Sequence, residues 1–473
     1  MNKAKKSTFA LFFGNRGFFP ASLLSAARQE MTDVLKGLGH DVIAMDASAT
    51  RNGAVETVAE GAAYAQFLKE NEGKFDGVIL SLPNFGDENG AVAALKDAGV
   101  PILVQAYPDE LDKMAPALRR DAFCGKMSIM DVFKQNNIPF TALKPHVVAP
   151  SSEIFADQID HFDRVCRVVK RMDNLVVGAI GARTTAFKTV RIDELALQKN
   201  GITLETFDLS DIFARMEKIS ESDAAYKAKS ERLKSYTDFS KVPADSFAKL
   251  VKLSVSIDNV VEENGLDAIA VRCWLEMQKQ LGISPCVLLS EMNDRGLIAS
   301  CEVDVGNAVA MCALSAASGE VASCLDWNNN YGDDEDKCIL FHCGPVPQTM
   351  MTGQGCVVGH AILDNAPGIT SSFGCNVGRI KPTPFTFSSM LTLNGTLQFY
   401  VGEGDFTDDP IPDDFFGCAG VADIEDLQDV LLSIGTQGHR HHVSVTPGYV
   451  GAAVCEALEY YLGYEVSVPQ EEC

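Results

Sequence analysis

The sequence predicts an α/β protein, two doubly wound α/β domains followed by a C-terminal β-rich α+β domain. Three observations carry this. Over the first 110 residues, short apolar strand-like runs alternate with helical ones. A second series of the same kind resumes near Asn174. After Ser318 the pattern changes to strands, two of them joined by a hairpin signal. The expected boundaries are 1–168, 169–318 and 319–473.

In order, "TFALFFG" is the first strand, and "PASLLSAARQEMTDVLKGLG" a helix with Pro20 at its start and Gly39 at its end. "HDVIAMD" is a strand, followed by a helix from Glu56 to Glu70. "FDGVILSLP", a helix near Ala91 to Ala98, and "VPILVQAY" complete the first series. Such β-α alternation gives a parallel sheet covered on both faces, with ligands beyond the C-terminal strand ends. Two loops lie there, "GNRGFFP" and "PNFGDENG". The second series begins after the charged stretch Arg164 to Asp173. It runs through "NLVVGAIG", "ITLETFDL", a long helical region from Glu221 to Asn264, "LDAIAVR", "PCVLLSE" and "LIASCEVDV". In the third part "KCILFHCGPV" is a strand. "FTFSSMLTLNGTLQFYVGEG" is a hairpin about Asn394-Gly395, and "PGYVGAAVCEALEYYLG" a closing helix started by Pro447.

Composition excludes several functions. The net charge is -24 and no block of Lys and Arg offers a basic face, so nucleic acid is not an expected partner. No run of 18 apolar residues would span a membrane. The N-terminus, with Lys3, Lys5 and Lys6 before a short apolar run ending at Gly14, reads as a first strand and not as a signal peptide. A cytoplasmic protein is expected. Fourteen cysteines, up to Cys473 and without C-x-x-C pairs, read as free thiols in a reducing compartment.

Glu302 and Asp326 each stand where an apolar strand meets a loop. A carboxylate buried there needs a partner, and capping of the following helix or turn is the simple explanation. His342 lies in a strand, where a satisfied core histidine is the simple explanation. Three of the eight histidines, His439, His441 and His442, fall within four residues. A polar surface turn would explain that cluster. Together, two carboxylates and an imidazole also form a plausible set of ligands for a metal.

Three runs, "CEVDVGNAVAM", "VASCLDWNNNYG" and "HHVSVTPGYVGAAV", resemble the L-fucose isomerase and L-arabinose isomerase superfamily. The resemblance implies a metal-dependent aldose-ketose isomerase with manganese, or another divalent metal such as magnesium or cobalt. It implies Glu302, Asp326 and His442 as metal ligands, with the two carboxylates also serving proton transfer. His342 matches an additional ligand of the arabinose branch, and His441 and His439 are expected beside His442. The family also implies a homo-oligomer, a hexamer, with active sites between subunits. Its sugar-binding aromatic loop appears here as "LPNFGDENG", which contains Phe85. Loop position adds Arg16, Trp327, Asn328, Gln348, Arg379 and Lys381 as candidate substrate contacts. The substrate is a small-molecule sugar, either a neutral L-fucose or L-arabinose type or an anionic hexose such as sulfoquinovose. A non-enzymatic two-domain sugar binder is the alternative. An NAD enzyme is disfavoured because "GNRGFF" lacks G-x-G-x-x-G spacing.

Overall fold

The computed structural model describes residues 5–470, so Lys3 and Cys473 lie outside the described residues. The chain forms two compact units. One runs up to Lys170 and includes Tyr460–Leu462; the other holds Arg171–Glu459 and continues from Gly463.

The first unit contains four parallel strands, β1 (Thr8–Phe13), β2 (Asp41–Ala44), β3 (Gly77–Leu82) and β4 (Ile102–Ala106), in the order β2-β1-β3-β4. β1, β3 and β4 are buried nearly throughout, as strands covered on both faces must be. Helices follow where local chemistry starts them. Thr57 accepts the Glu60 N–H at the start of Val58–Glu70, and Asp87 accepts the Gly90 N–H at the start of Glu88–Leu95. "PNFGDENG" is thus half loop and half helix. The charged stretch at 164–173 is the end of a 20-residue helix, Glu153–Met172. Phe155, Ile159, Phe162 and Cys166 are buried along one side of it, at helical spacing, beneath the charges.

The second unit opens with another parallel sheet, β5 (Val176–Ile180), β6 (Thr203–Phe207), β7 (Ala268–Val271) and β8 (Ile298–Cys301), ordered β6-β5-β7-β8. The helical region before β7 is two helices, Ala224–Tyr236 and Ala244–Asn264, the second entered from Pro243. "PCVLLSE" begins a buried helix, Cys286–Asp294.

The remaining strands are β9 (Ser323–Tyr331), β10 (Asp334–His342), β11 (Cys356–Val358), β12 (Cys375–Arg379), β13 (Thr383–Leu393), β14 (Thr396–Phe406), β15 (Cys418–Asp423), β16 (His442–Pro447) and β17 (Glu465–Ser467). The path β15-β10-β9-β16-β13-β14 closes on itself because β14 also pairs with β15, so six antiparallel strands form a barrel. Leu325, Leu340, Phe385, Phe387, Tyr400, Val443 and Val445 form its core. Asn394 and Gly395 both take positive φ, 52° and 81°, as a type I′ turn requires. Pro447 corrects the sequence reading. It is the last residue of β16, opposite Phe385, and the helix starts later, at Gly451. Among the described residues the cysteines are free, and no helix is long and apolar enough to cross a membrane.

Helix Val305–Ser318 joins the sheet to the barrel. A Cβ on Gly306 would stand 2.3 Å from the Met390 carbonyl oxygen and 2.8 Å from Arg440 Nη1. Gly306→Ala is therefore expected to force the helix off the barrel, costing about 1–3 kcal/mol. A urea unfolding midpoint at the wild-type value would show that the contact is looser than described.

Candidate active site

The site is assembled where β8 ends and the barrel begins. Glu302 and Val303 follow β8, and both take left-handed backbone conformations, φ 60° and 59°. Each costs about 1–2 kcal/mol for a residue with a Cβ, and a β-branched valine is rarer there than a glutamate. The turn is held by Val303 N–H to Val271 O and Asp304 N–H to Cys301 O. It leaves the Glu302 carboxylate beside the barrel, where Trp274 Nε1–H donates to its Oε1 at 2.9 Å.

Asp304, which the sequence reading did not single out, is fully buried and does three jobs. It caps helix Val305–Ser318 by accepting the Asn307 N–H. It pairs with the buried Arg440 guanidinium. Its Oδ2 accepts Nδ1–H of His442 at 2.7 Å. That bond fixes the tautomer of the neutral ring, so His442 turns an Nε2 lone pair toward the carboxylates.

β9 and β16 are registered so that His442 stands opposite Asp326. His442 Nε2 lies 3.0 Å from Glu302 Oε2 and 3.4 Å from Asp326 Oδ1. None of these three buried atoms makes an aligned hydrogen bond. Three electron-rich atoms facing one point repel unless a proton or a metal cation lies among them. The donor set, two carboxylate oxygens and one imidazole, suits a hard divalent ion, so these residues fit the metal implied by the resemblance. With no cation, burial pushes the His442 imidazole down, but the Asp304 and Glu302 contacts outweigh it and raise it to about 10. Burial also drives the Asp326 carboxyl up, only partly opposed by His342 and His442. For Glu302 burial acts upward too, but His442 outweighs it and holds the carboxyl below its ordinary range.

His342, at the end of β10, is buried beside this set; one of its ring nitrogens lies within 4.8 Å of ligand atoms of both Glu302 and His442. Its Nδ1 accepts the Cys343 N–H at 2.9 Å, the opposite arrangement to His442. The neutral ring therefore carries its proton on Nε2, as a donor. Phe187 packs against Trp274, His441 and His442, with ring centroids 5.3, 5.5 and 5.9 Å away, and forms an apolar wall. His441 is at the rim, 45% exposed, with Nε2 3.8 Å from Asp326 Oδ1. His439 corrects the expectation. Its ring packs edge-on against Tyr400, burial followed by the Arg440 charge lowers it to about 4, and among the described residues it joins no ligand group.

Most of the expected substrate contacts are otherwise engaged. Trp327 follows Asp326 on a strand and so faces the other way, into the barrel, where Nε1–H reaches Tyr400 OH and the ring meets Phe387. Gln348 spans its own loop to Gly353 and Gly355. Arg379 donates to the carbonyls of Gly378, Gly417, Pro412 and Phe415, and Lys381 to that of Thr349. These three hold backbone in place. Asn328 is exposed and touches Asn329. In the first unit Arg16 lies over the Phe85 ring at 4.2 Å and pairs with Glu88 at 3.0 Å, so the two candidates meet there. A cavity of about 610 Å³ at the C-terminal ends of β5 and β6 is lined by Val303, next to Glu302, and by Arg183 and Arg191.

Residues 10–173 match the fucose/sulfoquinovose isomerase N-terminal domain, and residues 340–469 the L-fucose isomerase C-terminal domain. The second span includes His342 and His442; Glu302 and Asp326 fall between the two. A sulfoquinovose isomerase of Priestia aryabhattai is 23% identical over 77% of this chain and 79% of its own. One from Alkalicoccus urumqiensis is 23% identical over 66% and 70%, and one from Clostridium sp. 26% identical over 48% and 51%. The chain belongs to the L-fucose isomerase-like family, whose activity is aldose-ketose isomerisation. It is an isomerase, and the reading as a non-enzymatic sugar binder is set aside.

Proposed function

We propose that this enzyme is a metal-dependent aldose-ketose isomerase acting on an anionic, sulfoquinovose-type aldose. The observation that carries the metal is the convergence of Glu302 Oε2, Asp326 Oδ1 and His442 Nε2, two carboxylate oxygens and one imidazole nitrogen buried around one point. These three residues would hold a divalent ion, manganese or else magnesium or cobalt, which when bound supplies Lewis acidity to the sugar O1 and O2. Asp304 keeps the His442 tautomer. The Glu302 and Asp326 carboxylates take the proton from C2 and return it to C1 through an enediolate. His342 presents Nε2–H to the same space, and Phe187 and Trp274 limit water. By family resemblance, we also propose a three-domain division near 168 and 318 and a homohexamer.

The anionic substrate is supported by the names of the relatives, and it needs a cation within direct reach, since screening confines long-range effects to about 8 Å. Arg16 is the candidate in the first unit, and Arg183 and Arg191 line the cavity in the second. A neutral, L-fucose-type sugar is the second reading, favoured by the pairing of Arg16 with Glu88. Ketose formation from neutral and 6-sulfonated aldoses, with manganese added, separates the two. Arg16→Ala is expected to raise KM for the anionic sugar about tenfold or more and for a neutral one little, since a charged hydrogen bond is worth about 1.5–3 kcal/mol. Equal effects on both would make Arg16 structural, and turnover of neutral aldoses alone would sink the anionic reading.

Metal affinity should depend on pH in a defined direction. Below about 10 the His442 ring holds a proton in the metal-free protein, and the ion must displace it. The apparent affinity for manganese is therefore expected to rise by up to about tenfold per pH unit between pH 6 and 8. A flat profile would remove His442 from the ligand set.

A further inference from the structure

Five thiols from five separate segments form a chain inside the second unit. Cys286 Sγ is 3.4 Å from Cys343 Sγ and 3.8 Å from Cys375 Sγ. On its other side Cys343 meets Cys301, which in turn meets Cys273. All five are buried, none more than 8% exposed. Buried cysteines usually behave as small apolar side chains, and one or two would be unremarkable. Here Cys286 lies against two other sulfurs, and Cys343, Cys301 and Cys273 continue the line as neighbours. The line also has a nitrogen in it: His342 Nδ1 is 3.2 Å from Cys343 Sγ, and ligand atoms of Cys301, His342 and Cys343 all lie within 4.8 Å of one another.

We propose that Cys301 and Cys343, flanked in the line by Cys273 and Cys286, form a binding site for a soft d10 cation of the zinc or cuprous class. Two sulfurs select such ions, whereas the carboxylate-rich set nearby selects hard ones. For a divalent ion the balance is simple: the ion displaces one proton from each thiol, and both protons go to solvent. Cys286, the next sulfur in the chain, stands ready behind Cys343. His342 stands beside both sets: its Nδ1 accepts the Cys343 N–H, and one of its ring nitrogens lies within 4.8 Å of ligand atoms of Glu302 and His442. The proposal is independent of the isomerase assignment.

Cadmium is the probe. The full-length, reduced, manganese-loaded protein is titrated with Cd²⁺ without oxygen, and the ultraviolet thiolate-to-cadmium absorption is followed. One ion per chain with that band is expected. The band should disappear in Cys301→Ser and Cys343→Ser, and remain in Cys338→Ser, whose thiol lies outside the chain, and in Glu302→Gln. Absence of the band, its survival in both cluster variants, or its loss in Glu302→Gln would overturn the proposal. Should the serine variants not fold, X-ray absorption at the cadmium edge of the wild type decides. Two sulfur neighbours support the site, and a shell of only oxygen and nitrogen removes it.

Discussion

Glu302→Gln is expected to fold like the wild type and to lose at least about 100-fold in turnover. The substitution is nearly isosteric. It preserves an acceptor for Trp274 Nε1–H while removing one negative charge opposite His442 and one candidate base. Folding should survive because the strain at residues 302 and 303 is in the backbone, which the side-chain change leaves alone. Circular dichroism checks the fold, and ketose formation at saturating manganese checks the rate. Turnover near the wild-type value would mean that this carboxylate neither balances the ion nor moves the proton.

Asp304→Ala should have the largest combined effect on stability and binding. It removes a helix cap, strands the buried Arg440 charge, and frees the His442 ring to turn. Leaving a buried charge unpaired costs about 3–5 kcal/mol. Loss of the carboxylate that orients a ligating histidine weakens metal affinity about 10–100-fold. Asp304→Asn keeps a capping side chain but not the charge, and should fall between the two in a urea titration. Wild-type manganese affinity in a folded Asp304→Ala protein would show that His442 is oriented by something else.

The strands were legible because burial on both faces writes continuous apolar runs, and the hairpin because Asn-Gly needs positive φ at both positions. The helix Glu153–Met172 was hidden because its charges are conspicuous and its buried side, Phe155 to Cys166, shows only at helical spacing. Three short motifs brought Glu302, Asp326 and His442 together, and register between β9 and β16 accounts for two of them meeting. Asp304 was missed although it lies two residues past Glu302, since an aspartate before a helix is ordinarily only a cap. Trp327 was misjudged by sequence proximity; strand alternation puts it on the face opposite Asp326. Gln348, Arg379 and Lys381 could not be read at all, because the carbonyls that occupy them come from distant loops.

Manganese retained per chain after exhaustive dialysis tests the central claim most directly, compared among the wild type, His442→Ala and His439→Ala. His442 Nε2 faces both carboxylates, whereas His439 lies against Tyr400. One ion is predicted to stay with the wild type and with His439→Ala, and almost none with His442→Ala; equal losses from both variants would contradict the metal site described here.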